Sequence, residues 1–120
     1  YTDGPVVIRY SDVLLMKAEA LAEQGQFVAA QTIVNDLRAA RNTTAIAPAD
    51  ATLIDFILDE RRRELFFEGH RWFDLKRKGR VITKPAGKGS ALSYEDLRIL
   101  APLPNAAVTF NPNLPQNPGY

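Results

Sequence analysis

The residues best equipped for chemistry lie between Glu60 and Arg80, where arginines, carboxylates and aromatic side chains alternate. Glu64, Glu68 and Asp74 fall close to His70, the only histidine in the chain, and carboxylates beside an imidazole are the raw material of general acid–base catalysis. That chemistry needs a companion nucleophile, metal motif or phosphate-cradling glycine loop, and the sequence offers none beside them. A second chemistry is nucleic-acid binding through Arg61, Arg62, Arg63 and the basic run from Lys76 to Arg80. Acidic residues interrupt that run and the net charge is only +1, so it does not form a basic face.

A third use of the same residues is structural. At helical spacing Ile57, Arg61, Glu64, Glu68 and Arg71 share one face. Glu60–Arg63 and Arg61–Glu64 are three apart and attract, whereas Glu64–Glu68 are four apart and repel. Arginine beside carboxylate and tryptophan suits bidentate pairing and stacking, for which lysine is a poor substitute. The expected arrangement is an ion-pair network built from Arg9, Glu19, Glu60, Arg61, Glu64, Glu68, Arg71, Trp72 and Asp74. It would fix this helix against its neighbours. His70 and Asp74 are also four apart, and a helix-surface contact accounts for them.

Composition narrows the remaining possibilities. With 46% hydrophobic and 24% charged residues in 120, the chain has the make-up of one ordinary globular domain with a small core. It has no cysteine, which removes disulfides, thiolate zinc sites and cysteine nucleophiles together. One histidine cannot build a His-rich metal site, and no metal or cofactor is expected. No apolar run approaches the roughly 20 residues of a membrane span. Tyr1-Thr2-Asp3-Gly4-Pro5 lacks the basic start and apolar stretch of a signal peptide. Either the protein stays inside the cell, or an export signal lies upstream.

Helices must position these groups. Val6-Val7-Ile8 reads as an extended approach, with Ser11 as an N-cap. Leu14, Ala18, Leu21 and Ala22 recur on one face up to Gln24, and Gly25 ends that helix. A second runs from Phe27 to about Arg41 with Phe27, Ala30, Val34 and Leu37 on one side. So short a turn makes residues 11–41 a helical hairpin. Gly25-Gln26-Phe27-Val28-Ala29-Ala30 fits the turn of a tetratricopeptide repeat, although Lys17 and Asn42 replace the usual apolar residue and proline. Asp50 then caps a long bent helix over residues 50–78, carrying Leu53, Ile54, Ile57, Leu58 and Leu65. Gly69 bends or breaks it. Residues 79–120 are irregular, with a loop around Pro85, Gly87 and Gly89 and a short extended stretch from Asp96 to Leu103. The tail holds Pro112, Pro115 and Pro118, cannot be helical, and is expected to lie along a surface through Phe110, Leu114 and Tyr120. The fold class is mainly α.

Several blocks carry a family likeness. Ile8 to Ala20 (IRYSDVLLMKAEA) resembles the opening of the last repeat-like hairpin of SusD/RagB proteins, and Asn35 to Arg41 (NDLRAAR) resembles its close. Glu60 to Arg77 (ERRRELFFEGHRWFDLKR) is very similar to that family's ER…EL.FEG.RW.DL block. Ile99 to Pro104 (ILAPLP) resembles its penultimate motif, with Leu103 in place of isoleucine, and Asn111 to Tyr120 (NPNLPQNPGY) resembles its terminus. The blocks occur in family order across nearly the whole chain.

The resemblance implies a non-catalytic, surface-exposed outer-membrane lipoprotein of Bacteroidota that captures glycans or other nutrients with a TonB-dependent transporter. It further implies that Tyr120 is a true C-terminus and that several hundred residues, with the lipidated cysteine and the aromatic glycan platforms, precede Tyr1. This chain would be the scaffold end, and no ligand-binding residue is carried over to it. Two other classes compete: a free-standing helical-repeat adapter for a protein or peptide, motivated by residues 11–41, and the nucleic-acid binder above. A hairpin without its repeat neighbours is also expected to expose an apolar face along Leu14 and Leu21, through which the chain would self-associate.

Overall fold

A computed structural model describes residues 8–44, 48–81, 96 and 100–118. All regular structure among them is helical: α1 (Tyr10–Glu23), α2 (Phe27–Ala40), α3 (Leu53–Glu64), α4 (His70–Arg77) and α5 (Asn105–Phe110). The protein is mainly α, as its periodicity predicts. The chain divides into two compact units, Tyr1–Arg71 and Trp72–Tyr120.

In the first unit α1 and α2 form a hairpin, and α3 packs against both. The turn between α1 and α2 depends on one conformation. Gly25 adopts φ +75°, its N–H donates to Ala22 O at 3.0 Å, and the Gln26 N–H reaches back to Leu21 O at 2.9 Å. This is a Schellman closure, which satisfies two orphan carbonyls and needs a residue at ease in the left-handed region. A Cβ on Gly25 would meet nothing within 4 Å, so the demand for glycine is conformational rather than steric. The same closure ends α2. Asn42 takes φ +55°, its N–H donates to Ala39 O at 3.0 Å, and Thr43 donates to Arg38 O at 2.9 Å. Asparagine tolerates this region and proline cannot enter it. That is the physical reason Asn42 departs from the tetratricopeptide pattern.

The core of the unit is Ala18, Ala22, Ala30, Val34, Leu53 and Ile57, with Leu21, Phe27, Ile33, Ile54 and Phe56 packed around it. Small residues on α1 and α2 let the two backbones approach, and α3 supplies the larger side chains. Leu21 and Leu14 are half-buried rather than exposed. The exposed apolar side chains of α1 are Tyr10, Val13 and Met16 instead.

Three local expectations are corrected. Ser11 is not the N-cap of α1: the helix starts at Tyr10, two residues earlier than that cap implies, with Arg9 at the cap position, and the buried Ser11 hydroxyl accepts a hydrogen bond from Arg9 Nη1 at 2.6 Å. Asp50 acts one turn before α3. Its carboxylate accepts the Thr52 N–H at 2.8 Å and the Thr52 hydroxyl at 2.5 Å, and these bonds, the hydroxyl first, hold its pKa below the ordinary carboxylate value. Finally, residues 50–78 are two helices rather than one bent helix. α3 ends at Glu64, residues 65–69 form turns, and both Phe67 (φ +64°) and Gly69 (φ +81°) leave the helical region. The interruption expected at Gly69 therefore begins four residues earlier, at Leu65.

In the second unit α4 closes on Gly79 (φ +61°), whose N–H donates to Lys76 O while Arg80 donates to Leu75 O. The short α5 follows Pro104 and has no counterpart in the sequence reading. The tail is tied back by side-chain amides. Gln116 Nε2 donates to Leu103 O at 2.9 Å, and Gln116 Oε1 accepts the Leu103 N–H at 2.7 Å. Asn117 Nδ2 donates to Ala101 O at 2.6 Å. Gln116 thus stands in for a neighbouring strand, which is why proline can crowd both segments without stranding their backbone groups. The expected loop at Pro85–Gly89, residues 97–99 of the expected extended stretch, and Tyr120 lie outside the described residues.

Gln116→Ala removes both bonds to Leu103. We expect a faster Leu103 amide exchange in hydrogen-exchange NMR and a stability loss of about 1–2 kcal/mol. Unchanged protection at Leu103 would show that Gln116 does not hold the tail.

Candidate functional site

The charged groups of the first unit converge where the start of α1, the end of α2 and the end of α3 meet. Arg9 is the hub. Its Nε donates to both carboxylate oxygens of Glu68 at 2.9 Å. Its Nη1 donates to Glu64 Oε1 at 2.8 Å, and its Nη2 donates to the main-chain oxygen of Glu64. From the end of α2, Arg41 donates to Glu64 Oε1 at 2.7 Å and to Oε2 at 3.1 Å. Glu64 is therefore held between two guanidiniums brought from distant parts of the chain. The repulsion between Glu64 and Glu68 is relieved because both share Arg9.

Two further pairs extend the clamp. Arg61 Nη1 donates to Asp12 Oδ1 at 2.8 Å, with both side chains about 5% exposed. Arg38 Nη1 donates to Glu60 Oε2 at 2.7 Å, and Arg63 reaches the same oxygen at 3.0 Å from solvent. The Arg38 guanidinium also lies over the Phe56 ring, 5.5 Å from its centroid, a cation–π contact. Arg71 Nη1 donates to Leu58 O at 3.0 Å and its Nη2 approaches Asp59 at 3.8 Å.

Electrostatics follow from this geometry. Hydrogen bonds from Arg41, followed by those from Arg9 and Ser11, outweigh burial and lower the Glu64 pKa from 4.5 to about 2. Arg9 likewise lowers Glu68, and the two glutamates raise Arg9, as Glu64 raises Arg41. A carboxylate so saturated is a poor proton carrier, because catalysis favours a pKa near the working pH. One cleft of about 400 Å³ is lined by Arg9, Tyr10, Leu14 and Arg41, and another of about 520 Å³ by Arg38, Arg41, Glu60 and Arg63. The arginines in both already serve carboxylates, so neither is prepared for an anion. Among the described residues no group of His, Cys, Asp and Glu could hold a metal ion.

Of the residues expected in the network, Arg9, Glu64 and Glu68 come together directly. Glu60, Arg61 and Arg71 join through partners on other helices or, for Arg71, through the Leu58 carbonyl. Arg61 pairs with Asp12 rather than with Glu64 as expected. Glu19 is buried on α1. Asp74 and Trp72 belong to the second unit, where Asp74 is buried and accepts from Arg77 at 2.8 and 3.1 Å. Trp72 is partly exposed. The sequence reading missed Asp12, Arg38 and Arg41. The i, i+3 spacing of Arg38 and Arg41 at the end of α2 was a usable signal, since it aims two cations at one side. Asp12 gave none, because an acid in a first helical turn is ordinarily explained by the helix dipole.

Asp12→Ala leaves Arg61 buried without this partner and is expected to cost about 3 kcal/mol in urea denaturation. Arg63→Ala, at an exposed pair, is expected to cost less than about 1 kcal/mol. Equal losses would rule out a burial-dependent clamp. The pH response is separate. Glu64 has a folded pKa below its ordinary 4.5, so its stabilisation is complete above that pH and disappears as the pH falls toward 2. Glu64→Gln should therefore lower Tm at pH 7 and give a shallower decline of Tm between pH 4.5 and 2 than the wild type. Parallel pH curves would exclude Glu64 as the titrating group.

Comparisons with known proteins agree with this architecture. The SusD family profile matches residues 1–120. Two SusD-like proteins of Formosa agariphila are 38% and 36% identical, over 96% of this chain and 24% and 26% of their own lengths. A SusD superfamily protein from Bacteroides vulgatus superposes with a TM-score of 0.77 at 36% identity, over 96% of this chain and 28% of that one. A candidate sugar-binding protein from the same species gives a TM-score of 0.79 at 31% identity, over 95% of this chain and 28% of its own. The chain spans about a quarter of the length of the relatives it matches. With the family profile matching from the first residue to the last, this chain belongs to the SusD family.

Proposed function

We propose that this chain is the scaffold end of a non-catalytic component that captures glycans or other nutrients at the outer membrane of a Bacteroidota cell. It works with a TonB-dependent transporter, and the protein is anchored to the cell surface by a lipid. The family match over all 120 residues carries this reading. The geometry adds support: the carboxylates and arginines concentrated among the described residues of the first unit are spent on pairing helices, which leaves Glu64 and Glu68 unsuited to acid–base catalysis. The likeness to a candidate sugar-binding protein favours a sugar as the captured nutrient. No residue here is assigned to the ligand. No described helix is long and apolar enough to cross a membrane.

The reading is tested in the cell. An epitope-tagged protein should fractionate with outer membranes and co-purify with a TonB-dependent transporter after detergent solubilisation. Quantitative recovery in a soluble fraction, without any such transporter, would overturn it.

A further inference from the structure

The turn between α3 and α4 holds two features that the ion-pair clamp does not explain. Phe67 adopts φ +64°, a left-handed backbone that a bulky L residue seldom takes, and its side chain is 95% exposed. Phe66 is also exposed, and the two rings stand 4.3 Å apart with a 52° tilt. The turn is held from both sides. Arg9 grips the carboxylate and main-chain oxygen of Glu64 just before it and the carboxylate of Glu68 within it, just past the two rings. A strained backbone fixed by its surroundings, presenting aromatic rings to solvent, is arranged for contact rather than for folding of its own unit.

The comparisons indicate what makes that contact. This fold recurs at TM-scores of 0.77 and 0.79 in proteins of which it covers only 28%. The rest of each of those chains, roughly three-quarters, lies outside the matched fold. We propose that the Phe66–Phe67 turn is an internal docking face onto which the remainder of a longer SusD-family chain packs. The aromatic pair enters an apolar pocket of that remainder, and the Arg9 clamp sets its position beforehand. A tilted ring pair is a poor flat platform for a sugar, and two side chains are small beside the roughly 800 Å² per partner of a stable dimer.

The test replaces the matching segment of the Bacteroides vulgatus SusD superfamily protein with this chain and follows Phe oxidation by hydroxyl-radical footprinting. Phe66 and Phe67 should label severalfold more slowly in the chimera than in the 120-residue chain. Phe67→Ser should lower the Tm of the chimera and leave that of the 120-residue chain unchanged. If the chimera does not fold, the same footprint is read on the Bacteroides vulgatus protein itself, where side chains at the aligned positions should be protected. Equal labelling with and without the added chain overturns the proposal. So does protection of the 120-residue chain that grows with its own concentration, which would mean a second copy, or protection that appears only with added oligosaccharide, which would mean a sugar platform.

Discussion

The first unit depends on the grip of Arg9 and Arg41 on Glu64. These residues are 55 and 23 positions from Glu64 in sequence, and their meeting fixes the start of α1 and the end of α2 against the end of α3. Without it, three helix ends would meet only through the margin of a small core. With it, the point where the chain must leave α3 is defined, and so is the turn that follows.

Charge carries this duty because the core is small. Ala18, Ala22 and Ala30 let α1 and α2 come close, but alanine buries little area, so close approach brings less hydrophobic stabilisation than larger side chains would. Polar pairing near the helix ends adds register that apolar packing alone leaves loose. The cost is desolvation, which a buried ion pair recovers only with full hydrogen bonding. That condition is met: no buried side-chain nitrogen or oxygen among the described residues lacks a partner. Arginine is suited to the task because its planar fork serves two carboxylates and a carbonyl at once, as Arg9 does; an ammonium, as a point charge, cannot match that geometry.

The second unit solves a related problem with neutral groups. Its proline-rich segments cannot form a ladder with one another, and the side-chain amides of Gln116 and Asn117 supply the missing backbone partners. In both units, local sequences with no regular pairing of their own are pinned by polar side chains arriving from elsewhere. The same clamp that closes the first unit also presents Phe66 and Phe67, so stability and presentation share one set of residues.

Much of this was legible in the sequence. The two helices of the hairpin, the stop at Gly25 and the apolar stripe of α3 follow from periodicity and from the left-handed preference of glycine, both local properties of the chain. The ordered motif blocks identified the family for the same reason: they record residue types, not contacts. The sequence also marked Glu64 and Glu68 as members of one network, because their types and crowding admit few other uses, and it named Arg9 among their expected partners. It could not assign partners. Helical spacing put Arg61 with Glu64, whereas the fold gives Arg61 to Asp12 and Glu64 to Arg9 and Arg41, since contacts across helices outrank those along one. Nor could it place the end of α3 at Glu64, where a phenylalanine rather than a glycine first enters the left-handed region. That choice belongs to tertiary structure: Arg9, arriving from the start of α1, holds both Glu64 and Glu68 and so constrains the backbone between them.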